Sequence, residues 1–157
     1  MDTTVLSNFA LVGELPLLQK ILARKGLRPL ITPQVRAEFR RGIEKGLFAA
    51  GANIGWIEVI ELTEEEAEVL SRLGKVLGEG EASCLAVALE RNLPLATDDM
   101  KARDLARRLG VVVTGTLGIL GWAVKAELLS LAQGDEILQA MRERGYFSPV
   151  ESLKELE

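Results

Sequence analysis

The chain has 157 residues, 48% hydrophobic and 27% charged, which suits one compact soluble domain with a real core. Its net charge of -4 does not attract polyanions, so contact with nucleic acid would need a local basic patch. The absence of histidine excludes Ser-His-Asp and Cys-His catalysis, and the single cysteine, Cys84, excludes disulfides and cysteine metal clusters.

The chemistry that remains is that of carboxylates, hydroxyls, lysine and arginine. Carboxylates bind hard cations such as Mg²⁺ or Mn²⁺ without nitrogen or sulfur ligands. Cys84 lies in the apolar run "ASCLAVAL" and is expected to be a buried core residue. The start of the chain carries Asp2 and no basic segment, and the longest apolar stretch is too short to span a bilayer. We therefore expect a cytoplasmic protein with no signal peptide and no membrane partner.

The first half of the chain carries several helix signals. Apolar residues at helical spacing predict a helix over 15–25, which Gly26 ends. Thr32 is the expected cap of the next helix, and Thr63 with Glu66 forms a capping box for a third.

In the second half, helices are predicted over residues 78–92, 99–110, 116–131 and 135–144, with a short final helix starting at Ser148. Short apolar strands are predicted at 28–32, 56–62, 93–97 and 111–113. Such alternation indicates an α/β fold with three layers, in which helices cover both faces of a central parallel sheet of about four to five short strands. We expect one domain over 1–147, with 148–157 as its C-terminal helical tail.

Acidic residues stand where a parallel sheet would place a site, beyond the carboxyl ends of its strands. Asp2 opens the chain, and as a surface acid it would be unremarkable. Asp98 and Asp99 follow the strand "LPLAT". Capping of the next helix explains one of them, and Asp98 is the expected cap. Asp99 is then left without a structural reason.

Three glutamates extend this pattern. Glu38 falls on the core-facing side of its helix, so it should be at the rim, paired with an arginine, or bound to a metal. Glu79 and Glu81 begin the apolar helix, where the helix dipole alone could explain them. Glu81 lies nearer the packed face of that helix.

Together these segments resemble the PIN domain, a metal-dependent nuclease fold that includes VapC-like toxins of toxin-antitoxin pairs. The matching segments are "DTTVLSNF", "ITPQVRAEF" and, most specifically, "GEGEASCLAVALERNLPLATDDMKARDLARRLGVVVTGTLGIL". The similarity covers residues 1 to about 147. One departure is that only Met1 precedes Asp2, so the first strand is either unusually short or begins upstream of Met1.

The resemblance implies that Asp2, Glu38, Glu81 and Asp99, with Asp98 as the other candidate of the doublet, hold one or two Mg²⁺ or Mn²⁺ ions. Such ions would activate water for in-line attack on a phosphodiester. Thr3 and Thr97 would support the site. Lys101 and Arg103 are the expected substrate contacts among the basic residues near the acids, which also include Arg36, Arg40, Arg41, Lys45, Arg107 and Arg108.

The resemblance thus implies a ribonuclease whose substrate is RNA or another single-stranded nucleic acid, with an antitoxin protein and a second copy of the chain as further expected partners. The alternative is a non-catalytic PIN-like module that binds nucleic acid or a partner protein. A receiver-like phosphoacceptor domain also uses paired aspartates and Mg²⁺, but it needs the pair after its first strand, whereas here the pair follows 93–97.

Overall fold

A computed structural model of the chain describes residues 1–156. The helices are α1 (Thr3–Leu11), α2 (Leu15–Arg24), α3 (Pro33–Glu44), α4 (Glu64–Leu73), α5 (Glu79–Arg91), α6 (Met100–Arg108), α7 (Thr116–Lys125) and α8 (Leu131–Glu143), and a 3₁₀ helix spans Leu153–Leu156. None of the helices within residues 1–156 combines the length and apolar character needed to cross a membrane.

The four strands are short, and they form two separate parallel pairs. They are β1 (Leu30–Ile31), β2 (Glu58–Val59), β3 (Leu95–Ala96) and β4 (Val113–Thr114). β1 pairs with β2, and β3 pairs with β4. The α/β class and the parallel pairing agree with the sequence pattern. The single central sheet of four to five strands is not found in residues 1–156, where the strands form two two-stranded sheets.

The first two residues of the chain connect these two sheets. The amino group of Met1 donates to the carbonyl of Leu30 in β1 at 2.8 Å. The amide of Asp2 donates to the carbonyl of Ala96 in β3, also at 2.8 Å. Met1 and Asp2 therefore lie between β1 and β3 and fix the distance between the two sheets.

Helix α5 lies at the centre of the molecule. Gly80 and all residues from Ala82 to Ala88 are buried, and the helix packs against α3, α4, α6 and β3. Its small residues allow these neighbours to approach closely. Cys84 is buried as expected, and burial raises the pKa of its thiol to about 11.

Capping residues determine where several helices begin, and the sequence predicted some of these caps but not all. Thr32 caps α3, and Thr63 with Glu66 forms the capping box of α4, as predicted. The predicted boundary between α7 and α8 was wrong. α7 ends at Lys125, and Ser130 with Gln133 forms a second capping box that begins α8 four residues earlier than the sequence suggested.

The C-terminal tail packs against its own chain. Leu153 is buried against Gly134 of α8 and Val124 of α7, and Asp135 accepts hydrogen bonds from the Ser152 hydroxyl and the Leu153 amide, both at 2.7 Å. The predicted tail over 148–157 is thus docked up to residue 156, and its last residue lies outside the described chain.

Candidate active site

Asp2 is the most buried of the predicted acids, with no exposed surface. It is the N-cap of α1, since its Oδ1 accepts the amide of Thr3 at 2.7 Å. Its Oδ2 accepts the hydroxyls of Thr4 and Thr97, each at 2.8 Å. Burial raises the pKa of this carboxyl above its ordinary value, and these donors oppose the rise. The alternative that Asp2 is an ordinary surface acid is therefore wrong.

Thr97, at the carboxyl end of β3, joins Asp2 to the aspartate doublet. Its side chain is fully buried. Besides donating to Asp2, its hydroxyl oxygen accepts the amide of Asp99 at 3.2 Å. The hydroxyl of Thr4 likewise accepts the amide of Asp98 at 2.9 Å. Two threonine hydroxyls therefore hold the turn after β3 against the start of the chain.

Glu38 reaches the same region from α3 and is half-buried. Its Oε2 accepts the hydroxyl of Thr3 at 2.5 Å, and its Oε1 accepts the amide of Gly80 at 3.1 Å. Within residues 1–156 no ion pair involves Glu38, so the expected arginine partner is not what holds it. A side chain at Gly80 would place its Cβ only 2.5 Å from Glu38 Oε2, so the glycine makes room for the carboxylate.

The head of α5 supplies the next acid. Glu81 is half-buried, whereas Glu79 is exposed, which agrees with the prediction that only Glu81 faces the packed side. The pKa of Glu81 is raised, mainly by burial and further by the negative charges of Asp2, Glu38 and Asp99. Asp2, Glu38 and Asp99 thus lie close enough to Glu81 for their charges to act on it.

The roles within the aspartate doublet differ from the expectation. Asp99, not Asp98, is the N-cap of α6, and its Oδ1 accepts the amide of Ala102 at 2.7 Å. The expected cap was wrong because α6 begins at Met100, which places Asp99 directly before the first turn. Asp99 Oδ2 makes no hydrogen bond to any residue between 1 and 156.

Asp98 serves a different helix. Its Oδ1 accepts the first amide of α7, from Thr116, at 2.9 Å. Its Oδ2 accepts the Thr116 hydroxyl at 2.5 Å and the side-chain amide of Asn8 at 2.9 Å. Both oxygens of Asp98 are therefore occupied in joining α1, α7 and the turn after β3.

The two predicted substrate contacts differ in their surroundings. Lys101 is exposed on α6. Arg103, two residues further along that helix, is half-buried, and its Nη1 donates to the carbonyl of Thr97 at 2.8 Å. The guanidinium lies against Gly115, where a Cβ would approach Nη1 to 2.7 Å. Arg103 is therefore held beside the acids, while Lys101 is free to move in solvent.

The residues brought together form one hydrogen-bonded network. It runs from Glu38 through Thr3, Asp2 and Thr97 to the amide of Asp99. The sequence pattern gave no role to Thr4, Asn8 or Thr116. The adjacent hydroxyls of "DTT" were the available signal for Thr4, whereas Asn8 and Thr116 lie far from the doublet in sequence.

The chemistry of these donors fits a hard divalent cation, because all are carboxylate oxygens. Gly80 leaves the space that the carboxylate of Glu38 occupies, and the mutual repulsion recorded at Glu81 is the kind that a cation relieves. The carboxylates do not, however, form a ready-made coordination shell. No three acidic or cysteine side chains within residues 1–156 are grouped closely enough to hold a metal ion.

An α/β fold with carboxylates beyond the carboxyl ends of parallel strands defines a candidate ligand site at that edge. The family model of DUF3368, a PIN domain, matches residues 1–156. The chain therefore belongs to the PIN-domain family. PIN domains are generally nucleases, and such nucleases generally use divalent metals. No curated protein and no solved structure matches the chain significantly.

Proposed function

We propose that this PIN domain is a metal-dependent endoribonuclease, the toxin of a toxin-antitoxin pair, that hydrolyses RNA phosphodiesters. Asp2, Glu38, Glu81 and Asp99 would hold Mg²⁺ or Mn²⁺. The observation that carries the proposal is the hydrogen-bonded network from Glu38 to Asp99, which gathers Asp2, Glu38 and Asp99 from three distant segments of the chain. Their charges also raise the pKa of Glu81, on a fourth segment. Stability alone does not require acids from so many elements to share one site.

In this proposal, hydrogen-bond donors of the chain orient the carboxylates that would hold the cation. A bound divalent cation supplies positive charge that stabilises the negative charge gained by the phosphodiester during hydrolysis. Thr3 and Gly80 fix both oxygens of Glu38, and Thr97 fixes one oxygen of Asp2. These donors keep the carboxylates oriented before substrate arrives, which lowers the reorganisation needed during the reaction.

Arg103 is the proposed phosphate contact. Its Nη1 is bound to the carbonyl of Thr97, so the guanidinium is already oriented, and its remaining N–H groups can donate to phosphate oxygens. Lys101 would add a mobile positive charge at the edge of the site. Contacts of this kind give affinity for the backbone without selecting a base sequence.

The direct test is cleavage of single-stranded RNA by the purified protein in Mn²⁺. We expect cleavage that EDTA abolishes and that falls by at least about 100-fold in Asp2→Asn, Glu38→Gln, Glu81→Gln and Asp99→Asn, by analogy with the loss of other charged catalytic groups. Glu79→Gln is the matched control, because Glu79 lies in the same first turn as Glu81 but is exposed. The proposal fails if the wild type cleaves no RNA, or if Asp99→Asn cleaves as well as wild type.

The same variants distinguish Asp98 from Asp99. Because both Asp98 oxygens are bound by Thr116 and Asn8, Asp98→Asn should weaken the fold as well as activity. Asp99 has one oxygen bound by its helix and one facing away from it, so Asp99→Asn should change Mn²⁺ binding more than stability. Calorimetric titration with Mn²⁺ and thermal unfolding of both variants would separate the two roles.

A non-catalytic PIN-like binding module is the second candidate. The observation that favours it is the complete burial of Asp2 together with the hydrogen bonds made to both of its oxygens. Such a module would bind RNA through Arg103 and Lys101 without cleaving it. Calorimetry showing no Mn²⁺ binding by the folded protein, with RNA binding retained, would support this candidate and contradict the nuclease.

A further inference from the structure

Helix α3 and the residue that ends it carry four basic side chains, which divide between two sides of the helix. An α-helix turns by about 100° per residue, so Arg41 lies about 60° and Lys45 about 20° from Glu38 around the helix axis. Arg36 and Arg40 each lie about 160° from Glu38. Glu38, Arg41 and Lys45 therefore share one side of α3, which we call the α3 stripe.

Both cations of the α3 stripe are available to an anion. Arg41 and Lys45 are exposed, and no ion pair within residues 1–156 involves either of them. The side chains of a helix lean toward its N-terminus, so both of these lean toward Glu38. Along the helix axis, Arg41 lies about 4.5 Å and Lys45 about 10.5 Å beyond Glu38. A strand of nucleic acid that leaves the acids along α3 would therefore pass two positive charges in succession.

The α3 stripe and Arg103 lie at opposite ends of the candidate active site. The hydrogen-bonded network runs from Glu38 in α3 to Asp99, the N-cap of α6. Arg103 is at the α6 end of this network, where its guanidinium donates to the carbonyl of Thr97. Positive charge is thus present at both ends of the network, although the whole chain carries a net charge of -4. A strand that crosses the acids would have cations for its phosphates on either side of them.

We propose that one RNA strand crosses the site from α6 to α3, so that Arg103 and the two cations of the α3 stripe bind phosphates on opposite sides of the scissile bond. This path rests on the ribonuclease function proposed above, and it assigns Arg41 and Lys45 to the substrate while leaving Arg36 and Arg40 to solvent. The substrate class is then a strand that continues beyond the scissile bond in both directions. Its bases are not selected by these residues, because the contacts are to the backbone.

The dipole of α3 gives a structural reason for positive charge in its last turn. A cation near the final carbonyls of a helix is favourable on any side of that helix. The dipole therefore accounts for the charge of Arg41 and Lys45, but not for their position on the side of Glu38. Loss of RNA binding without a matching loss of thermal stability distinguishes a phosphate contact from a dipole effect.

The test is binding of a short fluorescein-labelled single-stranded RNA of mixed sequence, followed by anisotropy in EDTA so that no strand is cut. The double variant Arg41→Gln, Lys45→Gln is compared with Arg36→Gln, Arg40→Gln, which removes the same charge from the opposite side of the same helix. The α3-stripe variant should bind about 10-fold or more weakly than wild type at about 0.05 M NaCl. Its plot of log affinity against log salt should be shallower by about 1.4, about 0.7 for each lost phosphate contact. The control variant should stay within about twofold of wild type with an unchanged slope.

Equal losses of affinity in the two double variants would overturn the proposal, because net charge and not position on α3 would then attract RNA. So would an α3-stripe variant that binds like wild type, or a wild type that binds no RNA. Cleavage in Mn²⁺ separates this path from the nuclease itself. RNA that is bound but not cut contradicts the nuclease alone. If RNA is cut, the α3-stripe variant should raise KM and leave kcat unchanged, since phosphates away from the scissile bond are bound equally before and during the reaction. An unchanged KM contradicts the path alone.

Discussion

The hydroxyl of Thr97 donates a hydrogen bond of 2.8 Å to Oδ2 of Asp2, across 95 positions of sequence. Both residues are fully buried, and this bond joins the end of β3 to the cap of α1. If a buried carboxylate loses a hydrogen-bond donor, the free-energy cost of removing that carboxylate from water is no longer compensated. The contact therefore contributes to the stability of the fold and to the ionisation of Asp2.

Replacing Thr97 with valine removes this hydroxyl and keeps the shape of the side chain. We expect Thr97→Val to lower the free energy of unfolding by about 1–3 kcal/mol, because Asp2 loses a donor inside the protein. Thr97→Ser keeps the hydroxyl and should lose less. Urea unfolding of the three proteins measures the difference. A valine variant as stable as the serine variant would show that the bond contributes little.

Asp2 should give the fold a measurable pH dependence. Because burial raises its pKa above the ordinary value of 3.8, the folded protein binds this proton more tightly than the unfolded chain does. The contribution of Asp2 to stability therefore decreases as pH rises from 3.8 through the folded pKa. Asp2→Asn does not titrate, so the stability of wild type minus that of the variant should fall over this range and then level off.

The measurement is urea unfolding of wild type and Asp2→Asn between about pH 3 and about pH 8, in EDTA to remove any cation. Asp104→Asn is the control, because Asp104 is an exposed acid on α6. A difference between wild type and Asp2→Asn that stays constant across the range would contradict the raised pKa.

The pair formed by buried Glu66 and exposed Arg91 has the opposite pH dependence. Arg91 Nε lies 2.6 Å from Glu66 Oε1, and this hydrogen bond holds the pKa of Glu66 below its ordinary value of 4.5. The stabilisation is therefore present above pH 4.5 and is lost as pH falls through the folded pKa. We expect Glu66→Gln to cost about 1.5–3 kcal/mol at neutral pH, the range for hydrogen bonds to charged groups.

The control for this pair is Glu65→Gln, which changes an exposed acid in the same helical turn. It should leave the free energy of unfolding within about 0.5 kcal/mol of wild type, as is usual for surface changes. If Glu66→Gln loses as little as Glu65→Gln at neutral pH, the pair does not stabilise α4 against α5.

Gly80 should not tolerate a side chain, because the carboxylate of Glu38 occupies the space that a Cβ would need. Alanine is normally favoured over glycine within a helix by about 1 kcal/mol. Here the new Cβ would lie 2.5 Å from Glu38 Oε2, so the carboxylate must move and the bond to the Gly80 amide is strained. We expect Gly80→Ala to destabilise the wild type but to stabilise the Glu38→Ala variant, as measured by thermal unfolding in a double-mutant cycle. Additive effects of the two changes would contradict this contact.

Much of the secondary structure could be predicted from the sequence, because capping and periodicity depend on residues that are close together in the chain. Thr32, Thr63 and Glu66 cap their helices as expected, and the strands at Leu30 and Leu95 lie within the predicted segments. The failure to form one sheet could not be read from the pattern. It depends on contacts between distant segments, such as those of Met1 with Leu30 and of Asp2 with Ala96.

The sequence predicted which residues belong to the candidate site better than it predicted what each of them does. Acids at the ends of elements indicated which residues to consider, and the positions of Glu38 and Glu81 follow from helical periodicity. The helix that each aspartate of the doublet caps does not follow from periodicity. It depends on a one-residue difference in where α6 begins and on the distant partners Asn8 and Thr116. Whether these acids bind a metal remains a prediction.

Thr97 is held at two atoms by groups of opposite charge. Its carbonyl is bound by the half-buried guanidinium of Arg103, and its hydroxyl is bound to the buried carboxylate of Asp2. A phosphate bound by the remaining N–H groups of Arg103 would therefore be connected to the carboxylate of Asp2 through the hydrogen bonds of one residue, Thr97. Substrate contact at the surface and the orientation of a carboxylate inside the protein would in this way depend on the same threonine.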